Sequence, residues 1–292
     1  MKKILLTGAN GLLGRSLCHK LSNHNAFVYA LTREVPPDPI PGVNYCPVNL
    51  SKPWCDEALP TAVDSIVHLA QSAKFREFPE NAADIFAVNI ESTARLLDYA
   101  KRAGAQQFVY ASSGGVYGNG ATAFDENSPI VPAGKLGFYL GSKMCGEILV
   151  QSYASLMQVI VLRAFFIYGP GQNRSMLIPR LMDSIIAGTP ISLVGEAGIR
   201  INPVHVEDAA SSIVAALSIG DSATFNIAGP DIMSLREICD GMGQRVGRLP
   251  IFQHQSGQVN DLIADITAMR TKLQAPQLRL LENLDDVYIL NK

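Results

Sequence analysis

The segment that most constrains the fold lies near the amino end. A short β-rich run, Lys3–Thr7, is followed directly by Gly8-Ala9-Asn10-Gly11-Leu12-Leu13-Gly14, and helical spacing continues over Leu12–Leu21. Glycines at these intervals permit a tight turn, close approach of backbone to a pyrophosphate, and close packing of helix on strand. The first helical turn then offers free N–H groups and the positive end of its dipole to an anion. A glycine triplet alone is weak evidence. With a strand before it and a helix after it, a dinucleotide-binding turn is the expected reading.

The rest of the first half repeats the alternation. Ala26–Leu31, Ser65–Ala70, Gln107–Ala111 and Val159–Phe165 read as strands, while Ala82–Ala103 and Tyr139–Leu156 carry helical spacing. Strands separated by helices pair in parallel, because parallel neighbours need crossover connections. The predicted fold is α/β, a Rossmann-type doubly wound parallel sheet, whose ligands sit beyond the carboxyl ends of its strands. From Phe166 the rhythm loosens through Gly169-Pro170-Gly171 and Gly188-Thr189-Pro190, and Val204–Val206 with Glu207–Leu217 gives one more strand-and-helix unit. The expected division is a dinucleotide-binding domain of residues 1–165 and about 199–228, with a smaller, partly interleaved substrate lobe at about 166–198 and 229–292.

Composition removes other classes. The 292 residues are 48% hydrophobic and 17% charged, with 24 basic against 26 acidic side chains and a net charge of -2. That balance gives no sequence-independent attraction to nucleic acid or to anionic lipid. Cys18, Cys46, Cys55, Cys145 and Cys239 are scattered without a C-x-x-C pair, so neither a disulfide framework nor a zinc site is expected, but reduced thiols in a cytoplasmic protein. The opening apolar run ends at Thr7-Gly8, too early for a secretion signal. Val159–Tyr168, interrupted by Arg163, is too short to span a membrane.

Two further patterns carry chemistry. Tyr139 and Lys143 are four apart in a helical segment and share a face, so a phenol and an ammonium can converge; a nearby cation would lower the phenol's pKa. Ser112 and Ser113 stand where the Gln107–Ala111 strand runs into a loop. At the end of the second strand the order is Leu31-Thr32-Arg33-Glu34. An acid there binds a ribose 2′-OH and an arginine accommodates a 2′-phosphate, so Arg33 favours NADP, while Glu34 on the ribose would leave NAD.

Taken with the glycine loop, Ser113, Tyr139 and Lys143 resemble the extended short-chain dehydrogenase/reductases, closest to the NAD(P)-dependent epimerase/dehydratase family of sugar-nucleotide enzymes. Further matching segments are His68-Leu69-Ala70, Val88-Asn89 with Thr93, Val116-Tyr117-Gly118, Leu162-Arg163, Tyr168-Gly169-Pro170-Gly171, Val204-His205-Val206-Glu207-Asp208 and Asp265. The resemblance implies that Ser113 hydrogen-bonds the reacting oxygen, Tyr139 transfers its proton, Lys143 tunes Tyr139 and holds the nicotinamide ribose, and Asn89 stands near the active site. Gly8, Asn10, Gly11, Leu12, Gly14, Thr32, Arg33, Asn49, Leu50, Leu69, Ala70, Gln71 and Phe165 would hold the cofactor. Phe166 and Arg200 would face the substrate, Phe166 in place of an asparagine that contacts a diphosphate, Arg200 one residue away from the family's phosphate-binding arginine.

Dehydratase members carry an Asp-Glu pair after the serine; here Gly114 and Gly115 stand there, so elimination lacks its proton shuttles. His205 with Glu207 and Asp208 could suggest a metal, but a single histidine in a segment of structural use does not make a site, and none is expected. The implied activity is epimerisation of a sugar nucleotide through a transient keto intermediate. Net reduction of a keto-sugar with NADPH, or cofactor sensing without catalysis, are the alternatives. A homodimer paired through the two long helices is implied by the same resemblance.

Overall fold

The computed structural model describes residues 1–24 and 26–288. The Rossmann half begins with β1 (Lys2–Thr7), α1 (Leu12–Asn23), β2 (Ala26–Thr32), β3 (Val43–Pro47) and β4 (Ser65–His68). Next come α2 (Ala82–Phe86), α3 (Ser92–Arg102), β5 (Gln107–Ser113), α4 (Gly137–Gln151) and β6 (Gln158–Ala164). Then follow β7 (Ile167–Tyr168), α5 (Leu177–Ala187), β8 (Ile191–Val194), β9 (Arg200–Ile201), β10 (Val204–His205) and α6 (Val206–Ala216). The chain closes with β11 (Ala223–Ile227), β12 (Met233–Ser234), α7 (Leu235–Val246), β13 (Phe252–Gln255) and α8 (Thr267–Lys272).

Seven strands form one sheet in the order β11-β6-β5-β4-β1-β2-β3, every neighbouring pair parallel. Its centre is buried on both faces, which is why β1 and β4 read as nearly unbroken apolar runs. Ile4 and Leu6 point to one face with Leu17, Val28 and Phe225, while Leu5 points to the other with Ile66, Leu97 and Phe108, as the period of two requires. After β1 the chain winds outward to β3, then crosses back to lay β4 against the other side of β1. The crevice between the carboxyl ends of β1 and β4 is therefore the switch point where such sheets take their ligands.

The expected alternation is found, with three refinements. β3 and β11, the two sheet edges, escaped the periodicity: β3 is interrupted by Asn44 and ends at Pro47, and its side chains are half-exposed, so it lacks a buried strand's apolar run. The predicted helix Ala82–Ala103 contains a π turn, Ala87–Glu91, between α2 and α3. The helix predicted over Tyr139–Leu156 begins at Gly137 and stops at Gln151. Past β6, a separate apolar cluster gathers Tyr168, Ile178, Met182, Leu193, Ile238 and Met242, and short strand pairs β7–β10, β8–β13 and β9–β12 tie its loops. Among the described residues no helix is long and apolar enough to cross a membrane.

Candidate active site

The glycine loop turns at Gly8, whose φ of 72° suits a residue without a side chain. Gly11 caps α1 with extended backbone and no side-chain hydrogen bond, which leaves the first N–H groups of the helix open to a ligand. A Cβ on Gly14 would lie 2.1 Å from the Gly8 carbonyl oxygen, and one on Gly8 would lie 2.9 Å from the Ala70 nitrogen. Only glycine lets helix, loop and the end of β4 come this close, and the resulting cradle fits a dinucleotide pyrophosphate.

The cradle is tied to its surroundings by a chain of hydrogen bonds. The Ala70 N–H donates to Thr7 Oγ1 at 3.1 Å. Thr7 Oγ1 lies 2.7 Å from His68 Nδ1, His68 Nε2 lies 3.0 Å from Thr93 Oγ1, and the Thr93 hydroxyl donates to the Asn89 carbonyl at 2.8 Å. Burial pushes His68 down to about 3, with the nearby Lys143 ammonium acting the same way, so the ring is neutral at ordinary pH. A neutral ring accepting from Thr7 and donating to Thr93 satisfies every link.

Above the cradle opens a cavity of about 660 Å³. Gly8, Gly11 and Gly14 line one side, Ser113, Tyr139 and Lys143 another, and Phe165 and Phe166 close it towards the lobe. Four segments that are distant in sequence thus meet at the predicted switch point. Ser113 ends β5, where its Oγ accepts the Gly115 N–H at 3.2 Å. Tyr139 and Lys143 both project from the first turns of α4.

The Tyr139 hydroxyl donates to Gln71 Oε1 at 3.0 Å, and its ring packs on Phe75 with centroids 4.8 Å apart. Lys143 is buried; its ammonium donates to the Ala111 carbonyl at 2.9 Å and sits 5.6 Å from the Tyr110 ring centroid. The expected lowering of the phenol pKa by Lys143 is not what this geometry produces. Burial dominates and pushes Tyr139 up to about 12, with the Ser113 hydroxyl and the Arg76 guanidinium acting in the opposite direction. Burial also brings Lys143 down to about 8, opposed by the Glu147 carboxylate. Tyr139 is therefore a protonated phenol at neutral pH, and Lys143 keeps its charge only below mildly alkaline pH.

Other predicted positions fall differently. Leu12, Leu69 and Gln71 line the cavity with the glycines, while Ala70 serves it from behind through its bond to Thr7. Asn89, expected at the active site, is 1% exposed and lies outside the cavity lining. Its Oδ1 accepts the Ser72 N–H at 2.9 Å and its Nδ2 donates to Ser142 Oγ at 2.9 Å, so it braces the end of β4 against α4 from within the π turn. Arg200, expected to face the substrate, lies outside the cavity lining and is drawn to Asp261. Its Nε and Nη2 donate to Asp261 Oδ2 at 2.8 and 2.6 Å.

Asn10, Thr32, Arg33, Asn49 and Leu50 also lie outside that lining. Asn10 Nδ2 donates to the Glu34 carbonyl at 3.1 Å, which joins the glycine loop to the end of β2. Thr32 Oγ1 is buried without a partner among the described residues. Arg33 is exposed and forms no ion pair among them. Asn49 Oδ1 closes a local turn by accepting from the Ser51 N–H and hydroxyl, and Leu50 packs beneath the sheet.

Phe165 is buried against the 113–117 turn, where a Cβ on Gly114 would lie 2.3 Å from its ring; a Cβ on Gly115 would meet Leu140 at 2.9 Å. A side chain at Gly114 would collide with the buried Phe165 ring, whereas one at Gly115 would displace only the end of the Leu140 side chain. Phe166 lines the cavity with φ at 42°, a left-handed backbone that is strained for an aromatic residue. His205 caps α6: its Nδ1 accepts the Glu207 N–H at 3.2 Å and its Nε2 meets Asp286 Oδ2 at 3.0 Å. Among the described residues no three His, Cys, Asp or Glu side chains are grouped to hold a metal.

Sequence reading missed Phe75, Arg76, Asn173, Met176, Leu177 and Leu262, which complete the cavity wall. They reach it from loops and the start of α5, where no periodicity or motif marks them.

Comparison with known proteins agrees with this architecture. Residues 4–228 match the model of the NAD dependent epimerase/dehydratase family. A Bacillus subtilis protein described as uncharacterized UDP-glucose epimerase YtcB is 27% identical over 93% of this chain and 92% of its own length. A UDP-glucuronate 4-epimerase of Thermodesulfobacterium geofontis is 26% identical over 64% of this chain and 58% of its own. Among solved structures, MoeE5 in complex with UDP-glucuronic acid and NAD superposes with a TM-score of 0.82, at 26% identity and 97% coverage of both chains. The chain belongs to the NAD-dependent epimerase/dehydratase family, in the extended short-chain dehydrogenase/reductase group, and is a nicotinamide-dependent enzyme.

Proposed function

We propose that this enzyme epimerises a UDP-linked sugar by oxidising one ring carbon and reducing it again from the other face. The observation that carries the reading is the meeting of Ser113, Tyr139 and Lys143 with the glycine cradle around one cavity. The cofactor, held by Gly8, Gly11, Leu12, Gly14, Leu69 and Gln71, supplies hydride acceptance and return. Tyr139 exchanges a proton with the reacting sugar oxygen, and Ser113 hydrogen-bonds that oxygen and fixes its position. Lys143 holds the cofactor ribose with its ammonium. Because that ammonium titrates near 8, steps that need it are present below this pH and fade as pH rises through it.

Two observations refine the reading. Gly114 and Gly115 supply no acid–base carboxylate pair, and Gly114 packs closely on the buried Phe165 ring, which favours epimerisation over dehydration even though dehydratases occur among the relatives. Arg33, exposed at the end of β2 and without an ion pair among the described residues, favours NADP over NAD and keeps net reduction of a keto-sugar as the second reading. We also propose a cytoplasmic homodimer, supported by unpaired cysteines and by Phe86 and Ile148, which expose 50% and 59% of their surface on α2 and α4. Sedimentation of an Ile148→Glu variant as a monomer, against a wild-type dimer, is the expected result.

The test is incubation with UDP-glucose, UDP-glucuronic acid and dTDP-glucose, with NAD or NADP, following isomer ratio and reduced-cofactor absorbance together. A changed isomer ratio without net cofactor reduction or consumption supports epimerisation. Stoichiometric consumption of reduced cofactor with a keto-sugar supports the reductase.

A further inference from the structure

Directly beneath the Ser113–Tyr139–Lys143 wall lies a buried charge pair that the proposed chemistry does not use. Glu147 follows Lys143 by one helical turn on the same face of α4 and is 1% exposed. Its two carboxylate oxygens accept the fork of Arg163, from Nε at 3.1 Å and from Nη2 at 2.8 Å. The remaining Arg163 nitrogen donates to the Tyr117 hydroxyl at 2.7 Å, and that hydroxyl donates to Asn226 Oδ1 at 2.9 Å. The Ser112 hydroxyl, next to Ser113 at the end of β5, also donates to Glu147 Oε1. The carboxylate thus fastens α4 to the ends of β5 and β6 at the level of the cavity floor.

A buried ion pair is poor value as a stabiliser, since well-packed apolar groups of the same volume often serve as well or better. Its position here suggests a different use. Among the described residues no carboxylate touches Lys143. The groups around its ammonium are His68 from β4, neutral at working pH; Tyr110 from β5, whose ring centroid lies 5.6 Å away and whose phenol burial keeps protonated; and Glu147 from α4 itself. Arg163 reaches the region from β6 but is spent on Glu147. Among the described residues Glu147 is therefore the anion that acts on the ammonium.

We propose that Glu147 is a positioning residue for the reaction, clamped by Arg163 and Ser112 so that its fixed carboxylate keeps the Lys143 ammonium charged and the Ser113 strand end in register with α4. This rests on the reading of Lys143 as the ammonium that holds the cofactor. Removing the carboxylate would leave Lys143 with burial alone acting on it, so its charge would be lost at lower pH.

The test is NADH binding, followed by its fluorescence across pH. Wild type should lose affinity as pH passes about 8, and Lys143→Met should remove that step. Glu147→Gln alone strands a buried guanidinium, so the main variant is Glu147→Gln with Arg163→Met, which takes out both charges. Its step is expected about one pH unit lower, the scale of one nearby charge. Glu147→Asp, which keeps the charge but withdraws it by one methylene, should fall between, and it carries the test if the paired variant does not fold. A step that stays at the wild-type pH in these variants overturns the inference, leaving a merely structural ion pair. No step in wild type, or one that survives Lys143→Met, overturns the reading of Lys143 and the role of Glu147 with it.

Discussion

The two walls of the cavity are built differently. On the sheet side, Gly8, Gly14, Ser113 and Lys143 are fixed by strand ends, a helix start and buried hydrogen bonds through Thr7, His68 and Asn89. On the lobe side, Phe166, Ile167, Met176, Leu177 and Leu262 present apolar surface from loops, with Gln172 turned away to donate to the Ile167 carbonyl at 2.6 Å. The first wall is polar and braced, as proton and hydride transfer require; the second is shaped rather than charged. Reaction type is a property of the first wall, and substrate choice of the second.

Substitutions can break that contrast. Gly14→Ala should have the largest effect, because its Cβ would stand 2.1 Å from backbone that cannot yield. Cofactor affinity measured by fluorescence titration is expected to fall by about 100-fold or more, roughly 2.7 kcal/mol. Arg33→Ala tests the outer rim of the same wall: a preference for NADP of about 10-fold, or about 1.4 kcal/mol, should vanish while NAD binding is unchanged. On the opposite wall, Phe166→Ala should alter KM for the sugar substrate several-fold. NADH affinity should stay within about 2-fold, since the residue faces the lobe side. Arg200→Ala should do least. The guanidinium is 53% exposed and lies outside the cavity lining, so KM should be unchanged.

The same contrast explains what was legible in the sequence. Strand-loop-helix order and the Tyr139/Lys143 spacing depend on residues near one another in the chain, so the sheet, the glycine cradle and the gathering of Tyr139 and Lys143 at one cavity could be read directly. Asn89 was legible as a motif but not as a brace, because its partners Ser72 and Ser142 come from elements 17 and 53 residues away. The pairing of Arg200 was illegible for a similar reason: its partner Asp261 lies 61 residues further on, and nothing at Arg200 announces it. The phenol's environment was also illegible, since helical spacing shows which cation can approach but not how deeply the pair is buried. Of the lobe wall only Phe166 was read from the sequence; Met176, Leu177 and Leu262 carry no period or motif that marks them.

The central claim is that the Tyr139 hydroxyl moves the substrate's proton while the cofactor holds the hydride. Its most direct test is Tyr139→Phe with whichever sugar nucleotide the wild-type enzyme converts, following isomer ratio and NADH affinity on the same preparation. The account predicts a rate loss of about 10²- to 10⁴-fold with cofactor affinity nearly unchanged. Isomerisation at the wild-type rate by that variant would contradict it.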